Sequence, residues 1–363
     1  MRLQVWTFNI FQIIRREKMA DNKNWKENWS KLDGVKFLIR ESKKRTKGLG
    51  WIKMSFDAVN CLFKYGATFH DYMNLRFYIR SKKERKTFIT TQMVKAEKKT
   101  WSKEAINQVD NKGLFNETFR DFVGREWIDM DTATEEEFIN FVKDKKTFFV
   151  KPKRESSGIG IKKITVSEIP DLKAYYAENK GNGALVEETL ISCEEMIQVN
   201  PYSTSFARIV TVYNEGKVHI LAATLRSGEK KQVAFNTAKD DMFSQIDIKT
   251  GVCFTDAVDE TGKVFEKHPV SGITFKGLQI PNWEIAKKTC IEAAKRVPEV
   301  RVIGWDVALT KDGCAFFEGN PGSGVASMQI ADGIGKKYLF YKYLGKIPKK
   351  TTADNKEKNE KNA

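Results

Sequence analysis

The sequence predicts an α+β chain with a basic, mainly helical lead-in, on three observations. Residues 20–105 place their apolar side chains at helical spacing among many Lys and Arg. From about residue 108 the texture changes to helix-period segments alternating with short β-rich runs. Two pairs of those runs double back as hairpins, around Asn214-Glu215-Gly216 and around Thr310-Lys311-Asp312-Gly313. At 363 residues the chain is long enough for two domains or one large multi-lobed one. The changes of texture divide it into a helical region at 1–104, an α+β body at 105–345 and a tail at 346–363. The tail is basic, has almost no apolar side chains and reads as disordered.

The helical lead-in carries Trp25, Trp29 and Trp51 and the cluster Phe63, Tyr65, Phe69, Tyr72, Phe77 and Tyr78. Aromatics among basic residues suit either the buried face of a helical lobe or a nucleic-acid surface. No RNP, KH or zinc-finger pattern accompanies them, which favours the buried face and no nucleic-acid partner. In the body, Thr132-Ala133-Thr134-Glu135 is a capping-box signature opening a helix to about Lys145. Residues 147–152 form a strand ended by proline, 163–166 a second strand, 168–179 a helix and 183–188 a further strand. The first hairpin joins 206–213 to 217–225, and 247–265 is another hairpin-like region. Pro281-Asn282 opens a helix to about Arg296, and the second hairpin follows.

Net charge is +16, spread along the chain and denser in the first third and the tail. Such a balance attracts nucleotides, nucleic acid and acidic membrane surfaces alike. Only three His are present, which speaks against a Ser-His triad or a His-based metal centre. The five cysteines, Cys61, Cys193, Cys253, Cys290 and Cys314, show no C-x-x-C spacing. That argues against zinc and against a disulfide framework, and fits a reducing cytoplasm. The apolar run at 3–14 is short, is interrupted by Gln4, Asn9 and Gln12, and is followed rather than preceded by its positive charge, unlike a signal peptide. No run approaches the roughly 18 apolar residues of a transmembrane helix. Three readings of the run stand: an ordinary N-terminal helix, extra residues ahead of a start at Met19, or an amphipathic helix resting on a membrane face, which leaves peripheral membrane contact open.

The second hairpin is the most informative stretch. Its arms are Gly304-Trp305-Asp306-Val307-Ala308-Leu309 and Cys314-Ala315-Phe316-Phe317-Glu318-Gly319-Asn320. Side chains alternate along a strand, so Glu318 and Asn320 share a face. Folding about the turn brings Asp306 to within about one residue of Glu318. Two carboxylates and a carboxamide oxygen then converge, a hard-oxygen set suited to Mg²⁺, with Mn²⁺ as an alternative. The plain alternative is a surface hairpin with solvated acids.

Two weaker signals precede it. Lys151 ends an apolar strand, where its charge is costly unless it meets an anion, and the loop Ser156 to Ile161 offers backbone N–H groups to phosphate oxygens. That loop is neither a Walker A nor a G-x-G-x-x-G motif, and an ordinary Gly-Ser turn accounts for the same residues. The strand Leu185-Val186-Glu187-Glu188-Thr189-Leu190 runs into paired acids, with Glu194 beyond it. It suits the rim of an adenosine pocket, with Glu187 and the backbone at the adenine amino group and Glu194 at the ribose. Solvated acids at a strand end are the simpler account.

Taken in order, strand-Lys with Gly loop, strand-Glu-Glu, then Asp…Glu-x-Asn about 120 residues further on, these signals resemble the ATP-grasp superfamily over roughly 105–345. Within it the chain is similar to the α-L-glutamate-ligase-related, sugar-transfer-associated group. The residues that carry this are His268-Pro269-Val270-Ser271-Gly272-Ile273, Gln279-Ile280-Pro281-Asn282-Trp283, Arg208-Ile209-Val210-Thr211-Val212, and Tyr65-Gly66-Ala67 with Asp71-Tyr72. The resemblance implies two α+β lobes clasping ATP behind a helical region. It implies Lys112 and Lys151 as phosphate-contacting lysines, and a flap over the phosphates that contains Ser157, Gly158 and Gly160. Glu187, Glu188 and Leu190 then sit at the adenine, Glu194 at the ribose, Arg208 near the transferred phosphate, and Asp306, Glu318 and Asn320 at Mg²⁺. The chain departs from many superfamily ligases at residues 235–241, where Asn236 is kept but the glycine pair after it is missing. His268 reads either as a substrate-orienting residue or as a structural one.

The implied activity is a cytoplasmic carboxylate–amine ligase in which a carboxylate takes the γ-phosphate of ATP and the acyl phosphate is captured by an amine, joining an amino acid to a sugar or cell-surface precursor. Little acid–base machinery is needed, in keeping with the scarcity of His. Two other readings stand beside it: an ATP-grasp phosphotransferase acting on a hydroxyl, and a basic nucleic-acid or anionic-surface binder whose ATP fold is vestigial.

Overall fold

A computed structural model describes residues 25–154, 160–230, 241–259, 261–322, 325 and 327–346. The apolar run at 3–14, Ser157 and Gly158, Asn236 with its neighbours, and the tail beyond Lys346 lie outside these residues, as do the side chains of Trp25 and Trp29.

The structure is mixed helix and sheet, with helices leading. Trp25–Arg45, Gly50–Tyr65 and Phe69–Asn74 form the bulk of the N-terminal region, followed by short helices up to Lys103–Asp110 and Lys112–Thr118. Leu38, Cys61, Tyr65, Tyr72, Phe77 and Phe88 bury one continuous apolar cluster, so most of the aromatic set forms core; Phe63 instead stands exposed. The same cluster takes in Phe243, Val258 and Ile330 from the body. Gln329 clasps the backbone of Ile89 from both sides, accepting from its N–H at 2.9 Å and donating to its carbonyl at 3.1 Å.

The described strands form two antiparallel sheets. The smaller contains β1 (Trp127–Asp129), β2 (Thr147–Pro152), β3 (Lys162–Thr165) and β4 (Ala184–Glu188) in the order β1-β4-β2-β3. Its register sets Phe149 opposite Glu187 and Lys151 opposite Leu185, so these four residues share a face. The other face, with Phe148, Val150 and Val186, packs under the helices Glu135–Val142 and Leu172–Asn179 through Phe138, Tyr175 and Tyr176. The capping box of the first of these helices lies two residues later than the sequence suggested. Thr134 is the N-cap, reciprocally bonded with Glu137, whereas the Thr132 and Ala133 amides close a turn onto the Asp129 carbonyl.

The larger sheet contains β5 (Phe206–Asn214), β6 (Lys217–Gly228), β7 (Asp241–Ile246), β8 (Ala257–Val258), β9 (Val264–Phe265), β10 (Val302–Thr310) and β11 (Gly313–Pro321), in the order β11-β10-β5-β6-β7-β8-β9. The β5–β6 turn places Glu215 and Gly216 at φ 47° and 79°, the left-handed pair that matches the twist of a tight hairpin. One face of this sheet is apolar, with Ile209, Ala223, Leu225, Trp305 and Val307, and belongs to the main core, which also takes in the helix Trp283–Arg296. The opposite face carries a row of polar side chains, and there the site is built.

Candidate active site

The expected carboxylate hairpin forms. β10 and β11 pair antiparallel with Asp306 directly opposite Glu318 and Gly304 opposite Asn320, and a bulge follows Asp306. All three predicted metal-ligating side chains therefore lie on one face. Gly319 lies between Glu318 and Asn320 on the other face, where a Cβ would stand 2.7 Å from Val109 and 2.9 Å from Phe115. Only glycine lets the helices Lys103–Asp110 and Lys112–Thr118 lie that close to β11.

Strand register adds Arg208. It sits on β5 opposite Asp306 and forms a two-pronged ion pair with it, Nε to Oδ1 and Nη2 to Oδ2, the latter at 2.7 Å. Both partners are buried. Burial opposes the charged guanidinium, but Asp306 more than compensates and raises the Arg208 pKa further. Glu318 has no such partner. Burial pushes its pKa above the usual carboxylate range, and the Asp306 charge adds to the push, against the weaker pull of Arg208 and Lys112. The Asn320 amide lies between the two acids, 3.4 Å from Asp306 Oδ2 and 3.3 Å from Glu318 Oε1.

This donor set fits a hard divalent cation. Two carboxylates stand side by side on neighbouring strands, and rotation of the Asn320 carboxamide supplies a third hard oxygen. Among the described residues no group of three or more His, Cys, Asp or Glu gathers in metal-binding fashion, so the remaining positions fall to water and phosphate oxygens.

The smaller sheet brings Lys151 to the same place. Its Nζ donates to Glu187 Oε2 at 2.6 Å and lies 5.9 Å from the ring centre of Phe317 on β11. Burial lowers the Lys151 pKa and Arg125 adds to that, while Glu187 and Glu318 oppose it. Glu187 was expected at the rim of an adenosine pocket; the structure places it inside. It accepts from Asn116 at 3.0 Å on Oε1, and from Arg125 at 2.8 Å and Lys151 on Oε2. Burial alone raises a carboxyl pKa, but Arg125 and Lys151 reverse that and hold Glu187 well below the usual range.

Arg125 and Asn116 are site residues that the sequence reading missed. Arg125 also donates to the Phe316 carbonyl at 2.6 Å and the Val123 carbonyl at 2.9 Å, tying the smaller sheet to β11 beside Glu318. Gly124 before it has φ 59° and leaves no room for a Cβ against Ala315, so the chain passes close under β11 there. Lys112 opens its short helix behind the Asn111 cap, is buried, and reaches Glu318 electrostatically. Lys112, Lys151, Arg125 and Arg208 thus converge with Glu187, Asp306 and Glu318, four cations against three carboxylates. Such a site favours an anion once a cation is also bound.

The remaining predicted residues lie towards the edge of this cluster. Glu188 is half-buried, 3.4 Å from Lys145, and Leu190 is half-buried just beyond it. Glu194 opens the helix Glu194–Val199 and is exposed, and Gly160 is exposed with φ 75°. His268 is not in the cluster. Its ring is buried, Nδ1 accepts from the Val270 and Ser271 amides at 3.2 and 3.4 Å, and Nε2 meets Ser227 Oγ at 2.9 Å. Burial lowers its pKa, and both ring nitrogens are engaged within the protein, Nδ1 by its own loop and Nε2 by β6. A concavity of about 590 Å³ lined by His219, Lys287, Lys288, Lys295 and Tyr343 contains none of the predicted site residues. All five cysteines are free thiols, and no helix among the described residues is long and apolar enough to cross a membrane.

No curated protein matches the sequence. Solved structures similar to it include ATP-grasp ligase PsnB complexed with a minimal precursor, at 14% identity over 75% of this chain and 73% of that one, TM-score 0.43. Others are an L-amino acid ligase from Bacillus licheniformis, at 14% identity over 65% of this chain and 47% of that one, TM-score 0.40, and a D-alanine–D-alanine ligase from Bacillus anthracis, at 13% identity over 66% of this chain and 67% of that one, TM-score 0.40. The chain spans about half the length of the L-amino acid ligase. A family model described as sugar-transfer associated ATP-grasp matches residues 96–340, well over half of the sequence and all of the cluster just described. The chain belongs to the sugar-transfer-associated ATP-grasp family.

Proposed function

We propose that this protein is a Mg²⁺-ATP-dependent carboxylate–amine ligase working through an acyl phosphate. One observation carries the reading: the Asp306–Glu318–Asn320 oxygen set and the cations Lys112, Lys151 and Arg208 converge from two sheets and the short helix that Lys112 opens. Lys112 and Lys151 hold phosphate oxygens, and Arg208 faces the transferred γ-phosphoryl group. Mg²⁺ held by Asp306, Glu318 and Asn320 supplies further neutralisation of the phosphate charge. The loop with Ser157, Gly158 and Gly160 covers the phosphates. The backbone from Glu188 to Leu190 reads the adenine and Glu194 the ribose. Both oxygens of Glu187 are engaged within the protein, so its part is to position Lys151.

A carboxylate oxygen of the substrate attacks the γ-phosphorus and the bond to ADP breaks, leaving an acyl phosphate. The amine of the second substrate then attacks the acyl carbon and expels phosphate, giving an amide. Fixed cations around the developing charge supply the catalysis, with no histidine required. We place the reaction in the cytoplasm, where ATP and free thiols coexist, with an amino acid and a sugar or cell-surface precursor as the substrates.

Phosphate release from Mg-ATP, measured across amino acids and sugar acids with hydroxylamine present, tests this. The expected result is a hydroxamate with at least one carboxylate, abolished in Asp306→Ala and Glu318→Ala. A phosphorylated hydroxyl product without hydroxamate would move the protein to the phosphotransferase reading. Full turnover in either variant would refute the site.

A further inference from the structure

The helix Gly50–Tyr65 is apolar on two sides, and only one of them belongs to the core. Ala58, Cys61 and Tyr65 are buried in the N-terminal cluster, with Met54 packed against it. On another side Leu49, Phe56 and Phe63 recur every seven residues and lie along one line of the helix, about 21 Å long. They are 75%, 42% and 83% exposed. Ile52 and Val59 border that line and are half-buried. A lone exposed Leu needs no explanation, but a line of large apolar side chains on one helix marks an interaction surface.

The residues round the line carry one sign of charge. Between Ser42 and Tyr65 the chain has Lys43, Lys44, Arg45, Lys47, Lys53 and Lys64 and a single acid, Asp57. Asp57 is engaged inside the lobe. Its two oxygens accept from Arg85 at 2.8 and 2.7 Å, and Oδ2 also accepts from the Tyr72 hydroxyl at 2.9 Å. The acid just before this stretch, Glu41, is buried and paired with Arg40, Lys44 and Arg45. Lys43, Lys47, Lys53 and Lys64 are exposed. At about 3.6 residues per turn Lys53 and Lys64 fall on one flank of the apolar line. Lys43 lies 5.3 Å over the Trp51 ring, at the start of the helix.

We propose that this face of the helix rests on an anionic membrane surface. Leu49 and Phe63 enter the boundary between headgroups and acyl chains, and the ammonium groups of Lys43, Lys47, Lys53 and Lys64 meet the lipid phosphates. Charge selects the occupant. A second copy of this chain brings the same positive rim and is repelled. A partner helix reads the positions that flank a seven-residue line, here Lys53, Ser55, Asn60 and Leu62, and one charge among them offers no pairing pattern. A lipid surface needs no pattern, only distributed negative charge above an apolar layer. With two large side chains inserted, attachment is shallow, reversible and salt-dependent. This inference does not rest on the ligase reading.

Co-sedimentation of the full chain with lipid vesicles tests it. The wild type should bind vesicles of equal parts phosphatidylcholine and phosphatidylglycerol. Binding to phosphatidylcholine alone should be at least about tenfold weaker, and high salt should remove the difference. Leu49→Ser with Phe63→Ser should lower partitioning onto the mixed vesicles at least about tenfold. Both side chains are exposed, so the melting temperature should not move. Lys53→Gln with Lys64→Gln should weaken binding by a similar factor. Lys288→Gln with Lys295→Gln, also exposed but on the helix Trp283–Arg296, should leave it unchanged. Equal losses from the two lysine pairs would show attraction by net charge alone and overturn the proposal. Unchanged binding in the Leu49→Ser, Phe63→Ser variant would overturn it too, as would no binding to either vesicle. Self-association of the wild type in analytical ultracentrifugation, lost in that variant and without vesicle binding, would assign the face to a second copy instead.

Discussion

Glu187 is the residue on which the smaller sheet's contribution turns. A fully buried carboxylate meets Arg125, Lys151 and Asn116, and removing it would leave two cations without compensation. Breaking a buried pair in this way costs about 3–5 kcal/mol. Glu187→Gln should therefore lower stability at neutral pH by about that amount. The sign of the pH dependence follows from the depressed carboxyl pKa. The ion-pair contribution is fully present above the ordinary glutamate value of 4.5 and is lost as pH falls below it towards the folded value. Urea unfolding of both proteins should show a constant gap above that pH and a narrowing one below. A gap independent of pH would show that Glu187 acts by packing alone. None of this was legible in the sequence. Arg125 is 62 residues from Glu187 and 191 from Phe316, so no local spacing links it to either.

At the scale of elements, the β10–β11 hairpin carries the metal ligands and depends on a single missing side chain. Gly319 faces Val109 and Phe115 with no room for a methyl group. Gly319→Ala forces either the helices or the strand to move, an overpacking cost of about 1–3 kcal/mol. Because Glu318 and Asn320 flank it, metal-dependent nucleotide binding should weaken by more than thermal stability alone accounts for. Calorimetry and thermal melts on the one variant separate the two effects, and a variant neutral in both would show that the helices do not brace the hairpin. This hairpin was legible because strand alternation and an Asp-Gly turn together fix which residues share a face. The helix before β2 was read two residues early for an equally local reason. Thr-x-x-Glu occurs at both Thr132 and Thr134, and the first threonine is taken by the turn after Asp129.

At the scale of the whole molecule, the N-terminal helical region and the two sheets are joined at identifiable points. Phe88 and its cluster pack on Phe243, Val258 and Ile330, and Arg125 ties the smaller sheet to β11. The order of motifs along the chain pointed to a nucleotide clasped between sheets, but the role of residues 1–104 had no sequence signature. In the structure part of that region packs over β7. The central claim is that Lys151 from one sheet and Glu318 from the other serve a single metal–nucleotide site. ATP titration with and without Mg²⁺, on the wild type, Lys151→Met and Glu318→Gln, tests it most directly. The account predicts Mg²⁺-dependent binding in the wild type, binding that has lost its Mg²⁺ dependence in Glu318→Gln, and weaker binding under both conditions in Lys151→Met. Wild-type affinity and Mg²⁺ dependence in both variants would contradict it.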